Sequence, residues 1–362
     1  MAINSAVVAV GLCYIVGKNR RAACPMWAQP AYTVLGQAPD QPQGRSDLGI
    51  LAMSQSIHQP PRGIIPPLVT PFRDDEDLDL SRLRWLIDWQ ISSGVDAIFI
   101  LGTTGEFYAL DEAEKQAVTV TAVAHCRGRI PVWVGVSAES TREVLRLTHM
   151  AQREGADGVS VLTPYFIKPN QQELYDHFRR VAESTSLPVV LYNNPATCGG
   201  LNIDSATVAR LVDHHRNIVG IKDSSGDLQN TIELIRSTPV ERFSVLNGRD
   251  TLIFAALQAG AQGAIPATAN IAPELCVGIY RSFRRGDWEQ ARQCQARLHP
   301  IRMAMSLSTG NGMIKEAMAL LGRSCGPNRR PIAPLSEDKR QLLRKILEQA
   351  GLNPLASALP AG

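Results

Sequence analysis

From Gly63 onward the chain alternates between two kinds of hydrophobic pattern. Short, unbroken apolar runs stand at Ile64–Val69, Ala97–Leu101, Val132–Val136, Gly158–Leu162, Val189–Tyr192, Val219–Ile221, Phe243–Leu246 and Ala264–Ile265. Runs that are continuous rather than alternating are expected of strands covered on both faces, as in a parallel sheet between helices. Between them lie longer segments with apolar residues at helical spacing, such as Leu83, Leu86, Ile87 and Ile91 within Ser81–Ser92. Asp111-Glu-Ala-Glu114 has the form of a capping box ahead of a helix over Gln116–Ala124. Ser93–Ala97, Glu154–Gly158 and Ala259–Gly263 repeat one device, a Gly where a helix ends before the next strand. Eight strand–helix units in series predict an α/β fold, a (β/α)8 TIM barrel over residues 63–270. Residues 271–352 read as a C-terminal helical extension, all helical from Pro273 to about Ala350, and 353–362 as a tail.

The first 62 residues differ. Gln29-Pro30-Ala31 and Gln37–Gly44 are rich in Gln, Pro and Gly, without periodicity. This stretch is expected to be a disordered leader, or sequence upstream of a misassigned start with Met53 as the true first residue. Its apolar run, Ala6–Val16, is shorter than the roughly 18–20 residues of a membrane helix. The length suits a signal segment, but the charges at Lys18, Arg20 and Arg21 follow it instead of preceding it.

Composition narrows the function further. A chain with 44% hydrophobic and 20% charged residues is globular, and a formal net charge of +3 gives no reason to expect nucleic acid or a membrane surface. Seven scattered cysteines with no CxxC pair are expected to be reduced thiols of a cytoplasmic protein. The seven histidines show no HExxH or other ligand spacing, so neither a metal nor another cofactor is expected.

In such a barrel the chemistry belongs at the C-terminal ends of the strands. The sixth run is followed at once by Lys222, one of seven lysines. An amine drawn out of water holds its proton less tightly, and a free amine adds to a ketone to give an imine. The competing reading is a lysine that snorkels to the surface or pairs with a carboxylate. Tyr192 ends the neighbouring strand, where a phenol either relays protons or merely keeps its hydroxyl at the wet rim. Gly102-Thr103-Thr104-Gly105-Glu106 supplies hydroxyls and backbone N–H groups for a carboxylate, or is a plain turn. An amine, a phenol and an anion cradle together are what a 2-oxo acid lyase requires.

GTTGE at 102–106, TPYF at 163–166, YNNPA at 192–196 and GIKDSSGD at 220–227 resemble, in order and spacing, the dihydrodipicolinate synthase / N-acetylneuraminate lyase family of Schiff-base-forming class I aldolases. The resemblance runs from about Gly63 to Leu352. It implies Lys222 as the Schiff-base lysine, Tyr192 as the proton shuttle, and Thr103 and Thr104 as the pair that binds the pyruvate carboxylate, Thr103 also joining the relay. It implies Gly248 and Asp250 as acceptor contacts and Ile265 as a backbone contact at the pyruvate end. It also implies a homotetramer, a dimer of dimers. Two positions depart from the synthases. Thr197 stands where they carry an arginine for the carboxylate of aspartate semialdehyde, and Phe166 stands where they carry a relay tyrosine. A relay through water or through Tyr165 would then be needed. Thr251 follows Asp250 where the sialic acid lyases have Glu. The expected reaction is therefore aldol addition or cleavage between pyruvate and an aldehyde, of the 2-keto-3-deoxy sugar acid or 4-hydroxy-2-oxoglutarate type. The alternatives are dihydrodipicolinate synthesis, a dehydratase or deaminase of the same family, a metal-dependent aldolase, and a non-catalytic barrel that binds a small acid.

Overall fold

A computed structural model of the chain describes residues 59–355; the proposed leader up to residue 58, with Met53, and residues 356–362 lie outside the described residues. Eight parallel strands follow in sequence: β1 (Gly63–Ile64), β2 (Ile98–Ile100), β3 (Val132–Gly135), β4 (Gly158–Leu162), β5 (Val189–Asn193), β6 (Ile218–Asp223), β7 (Ser244–Asn247) and β8 (Gly263–Ala264). From β2 to β8 each strand pairs with the next in chain order, and β1 pairs with β8. The seam between β1 and β2 is joined by Asp96 N–H to the Ile64 carbonyl (2.9 Å), Phe99 N–H to Pro66 (3.0 Å) and Leu68 N–H to Phe99 (2.8 Å). The sheet is thus a closed (β/α)8 barrel. The predicted first run, Ile64–Val69, shortens to two paired residues because Pro66 and Pro67 have no N–H to give a ladder.

Seven helices alternate with the strands: α1 (Leu80–Ser92), α2 (Glu112–Cys126), α3 (Thr141–Arg153), α4 (Gln171–Glu183), α5 (Ser205–His214), α6 (Leu228–Arg236) and α7 (Ile253–Gln258). The capping box forms as read: Asp111 accepts from Glu114 N–H, and Glu114 accepts from Asp111 N–H. Gly94, Gly155 and Gly260 take φ of +82°, +81° and +106°, closing their helices in the left-handed region that a Cβ disfavours. α8 (Pro273–Arg284) packs on β1 and α7 as an eighth wall helix, and α9 (Trp288–Met303), α10 (Gly312–Leu320) and α11 (Glu337–Gln349) follow. The all-helical expectation fails between α10 and α11. There Gly322, Gly326, Pro327, Pro331 and Pro334 break the chain into irregular structure over 321–336.

Two apolar bodies stabilise this arrangement. The larger lies between strands and helices. The smaller fills the barrel and comprises Ile65, Ala97, Phe99, Trp133, Val190, Val219, Leu246 and Ile265. Among the described residues no helix is long and apolar enough to cross a membrane.

One buried group between α3 and α4 is expected to make stability depend on pH. His177 is 4% exposed; one ring nitrogen meets the Thr141 hydroxyl at 2.9 Å, and the other has no partner among the described residues. Burial pushes its pKa down to about 4. In the unfolded chain a histidine titrates near 6.5, so between roughly pH 6.5 and 4 the unfolded state binds the extra proton. Stability is therefore expected to fall through that window as pH drops, by up to roughly 3 kcal/mol from this residue. Urea melts of the wild type and His177→Asn at pH 7 and pH 4.5 check this. The variant is expected to lose less stability on acidification, and an equal loss would assign the acid limb elsewhere.

Candidate active site

Lys222 reaches the interior of the barrel through an irregularity. Along β5 and β6, Val189 pairs with Ile218 but Val190 pairs with Gly220, so one extra residue, Val219, is inserted in β6. Strand side chains alternate between faces, and a bulge resets the alternation. Ile218 and Ile221 accordingly pack into the outer core, while Val219 lies inside the barrel. Lys222 then pairs with Tyr192 and shares its face. Gly220 is required at the bulge, because a Cβ there would stand 2.9 Å from the Ser244 carbonyl oxygen.

The Lys222 side chain is 4% exposed. Its Nζ lies 4.1 Å from the centroid of the Tyr192 ring and 5.2 Å from that of Phe99. Lys315, the other buried lysine among the described residues, is ion-paired to Glu106 at 2.7 Å. Lys222 instead faces aromatic rings and has no ion pair among the described residues. The Tyr192 hydroxyl sits 3.4 Å from Thr103 Oγ1 and accepts from Asn194 Nδ2 at 3.1 Å. The strand ends are locked beneath it. Asn193 Nδ2 donates to Asp223 Oδ1 at 3.0 Å, and the Asp223 carboxylate also accepts from Ser225, Asn230 and Thr231.

The loop after β2 is bent into a cradle. Leu101 and Glu106, at its two ends, both hold φ of +55°. Such left-handed non-Gly residues persist only where surrounding structure over-determines them. Gly105 N–H donates to the Gly102 carbonyl (2.9 Å) and Glu106 N–H to that of Thr103 (3.2 Å). Among the described residues neither the Thr103 nor the Thr104 N–H has a partner, although Thr104 is 5% exposed. Adjacent free N–H groups in a turn form a concavity for an anion.

The other expected residues lie around this group. Thr197 is exposed and donates to the Asn194 carbonyl at 3.3 Å. Gly248 donates its N–H to the Asp223 carbonyl at 2.7 Å. Asp250 is buried, its carboxylate accepting from Thr268 N–H at 2.8 Å, with Arg302 at 3.9 Å. Ile265 is an interior residue bonded through its N–H to the Asn247 carbonyl at 2.8 Å. Tyr165 sits edge-on to Phe107; burial, then the neighbouring Glu139 carboxylate, hold its pKa above the ordinary tyrosine value. Phe166 is 83% exposed. A cavity of about 850 Å³ opens at the other end of the barrel, lined by Arg62, Asp96, Trp133 and Asp157, away from Lys222.

Sequence reasoning missed two contributors from the extension. Asn311 donates to the Thr103 carbonyl at 2.6 Å across 208 residues, and Lys315 pairs with Glu106. No local pattern announces either contact.

Comparisons with known proteins bear on the family and the fold. The model of the Dihydrodipicolinate synthetase family matches residues 60–350. The 4-hydroxy-tetrahydrodipicolinate synthase of Methanopyrus kandleri is 38% identical over 293 residues, 81% of this chain and 97% of that protein. That of Methanoculleus marisnigri is 39% identical over 291 residues, 80% and 99% of the two chains. Among solved structures, YagE, a prophage protein of the dihydrodipicolinic acid synthase family from E. coli K12 in complex with pyruvate, superposes with a TM-score of 0.78 at 37% identity. The match covers 81% of this chain and 99% of that one. The dihydrodipicolinate synthase of Thermotoga maritima gives a TM-score of 0.78 at 35% identity, covering 81% and 99%. Alike in sequence and in fold over the barrel and its extension, the chain belongs to the dihydrodipicolinate synthetase family and is a carbon–carbon lyase of the class I aldolase kind.

Proposed function

We propose that Lys222 attacks the keto carbon of pyruvate, expels its oxygen as water and holds the product as an imine. The N–H groups and hydroxyls of Thr103 and Thr104 take the carboxylate. The Tyr192 hydroxyl, in line with Thr103 Oγ1, carries protons to and from the leaving oxygen and C3. The protonated imine withdraws electrons from C3. Loss of a C3 proton leaves an enamine, which adds to an aldehyde; the reverse sequence cleaves the aldol. The observation that carries this reading is the convergence of Lys222, Tyr192 and Thr103 on one interior face.

The relatives favour aspartate semialdehyde as the acceptor, because those compared carry the name of the synthase. They lend the sugar-acid and 4-hydroxy-2-oxoglutarate reading less support. That second reading keeps one local argument: Thr197 and Phe166 replace the charged and phenolic groups expected of a synthase rim. A site lacking the partner for a charged acceptor discriminates poorly in its favour. Among the described residues all five cysteines are buried and free, which supports a reducing compartment, and exposed Phe166 and Ile167 support an assembly of copies, which we take to be the tetramer.

Incubation with pyruvate and borohydride, with peptide mapping, is expected to label Lys222. Labelling of no lysine in excess pyruvate would reject the imine. The purified protein is then offered aspartate semialdehyde, and separately 2-keto-3-deoxy sugar acids and 4-hydroxy-2-oxoglutarate. Turnover of the semialdehyde alone establishes the synthase reading, and pyruvate release from the others establishes the second. Loss of water or ammonia without pyruvate would instead indicate a dehydratase or deaminase.

A further inference from the structure

We propose that Asn311, in the C-terminal extension, is a positioning residue for the 2-oxo acid carboxylate, acting through the Thr103–Thr104 peptide. The proposal rests on the reading of Thr103 and Thr104 as the carboxylate cradle. Asn311 is 6% exposed and stands at the N-cap position of α10, where an Asn side chain ordinarily accepts from the helix N–H groups. Here it caps nothing. Ser308 Oγ takes the Met313 N–H instead, at 3.0 Å. The freed Asn311 amide reaches across to the Thr103 carbonyl at 2.6 Å.

That carbonyl shares its peptide unit with the Thr104 N–H. In a trans peptide the C=O and N–H point to opposite sides of the chain. A donor fixing the Thr103 oxygen from the side of the extension therefore turns the Thr104 N–H the other way and holds it there. The same bond polarises the peptide and makes that N–H a better donor. Glu106 N–H bonds the same oxygen at 3.2 Å, so the carbonyl is held from two directions. Without Asn311, the cradle's N–H would be free to tilt with its strained loop. Carboxylate affinity would fall, while the amine and phenol would remain in place.

The test needs no acceptor. Pyruvate is titrated against wild type, Asn311→Ala and Asn311→Asp, with borohydride trapping and quantification of the labelled Lys222 peptide. The Asp variant keeps the size of the side chain but replaces the donor by an acceptor that repels the Thr103 oxygen. Half-maximal labelling is expected to need at least about tenfold more pyruvate in both variants, with the Asp variant no better than the Ala variant. The plateau of labelling is expected to stay at the wild-type level. An Asp variant that half-saturates within about twofold of the wild type would overturn the proposal. So would variants whose melting temperature drops while the folded fraction saturates normally, since Asn311 would then be a packing residue. A wild type that is never labelled would instead remove the functional reading itself.

Discussion

Lys222→Met is expected to abolish exchange of the pyruvate C3 protons with D2O, a loss of at least about a thousandfold followed by NMR. Exchange reports the enamine directly, because the C3 proton leaves only once the imine has formed. Methionine matches the length of lysine and suits a site lined by Tyr192 and Phe99, so the fold should hold. Burying an amine costs stability, and an unchanged or higher melting temperature would separate lost chemistry from lost structure. Lys222→Arg discriminates further. Guanidinium keeps the positive charge but stays protonated and adds to no ketone. If the barrel only bound small acids, the arginine variant would still bind pyruvate and the wild type would show no exchange. If Lys222 is the nucleophile, both variants are inert.

The second large effect lies under the cradle. Lys315 and Glu106 are 2% and 1% exposed and form an ion pair at 2.7 Å. Burial lowers the Lys315 pKa, and the Glu106 carboxylate works against that shift. Lys315 also donates to the Pro327 carbonyl at 2.7 Å, while Glu106 accepts from the Arg329 N–H at 3.0 Å. Lys315→Met would leave the carboxylate buried without its counter-charge. Such single breaks cost about 3–5 kcal/mol, whereas replacing both partners by neutral groups is often close to harmless. The double variant Glu106→Gln/Lys315→Met should therefore regain most of the stability lost by Lys315→Met. Urea melts of the wild type, both single variants and the double variant measure this. If the double variant is no more stable than Lys315→Met, the pairing is not what Lys315 contributes.

How much of this was legible depended on distance along the chain. The strands were readable because each is a local run of apolar residues, and α1 and the start of α2 because spacing and caps are local too. Lys222, Tyr192 and Thr103 could be singled out because a barrel brings every strand end to one rim. The break between α10 and α11 was missed although its Gly and Pro residues were in view, because the flanking helical patterns dominated the reading. Asn311 and Lys315 were invisible for another reason. Their partners lie in a loop about 200 residues earlier, and an Asn before a helix looks like a cap.

The sequence by itself determined the order of strands and helices, the barrel they form, and the residue types available at its rim. Only the tertiary structure decided which way those residues face. Strict alternation from Val219 would have turned Lys222 away from the interior, together with Ile218. The extra residue opposite β5 restored it to the face of Tyr192. A bulge belongs to the pairing of two strands, and the bond from Asn311 to the Thr103 carbonyl belongs to the docking of a distant helix. Neither is a property of any one segment, so neither is written in one.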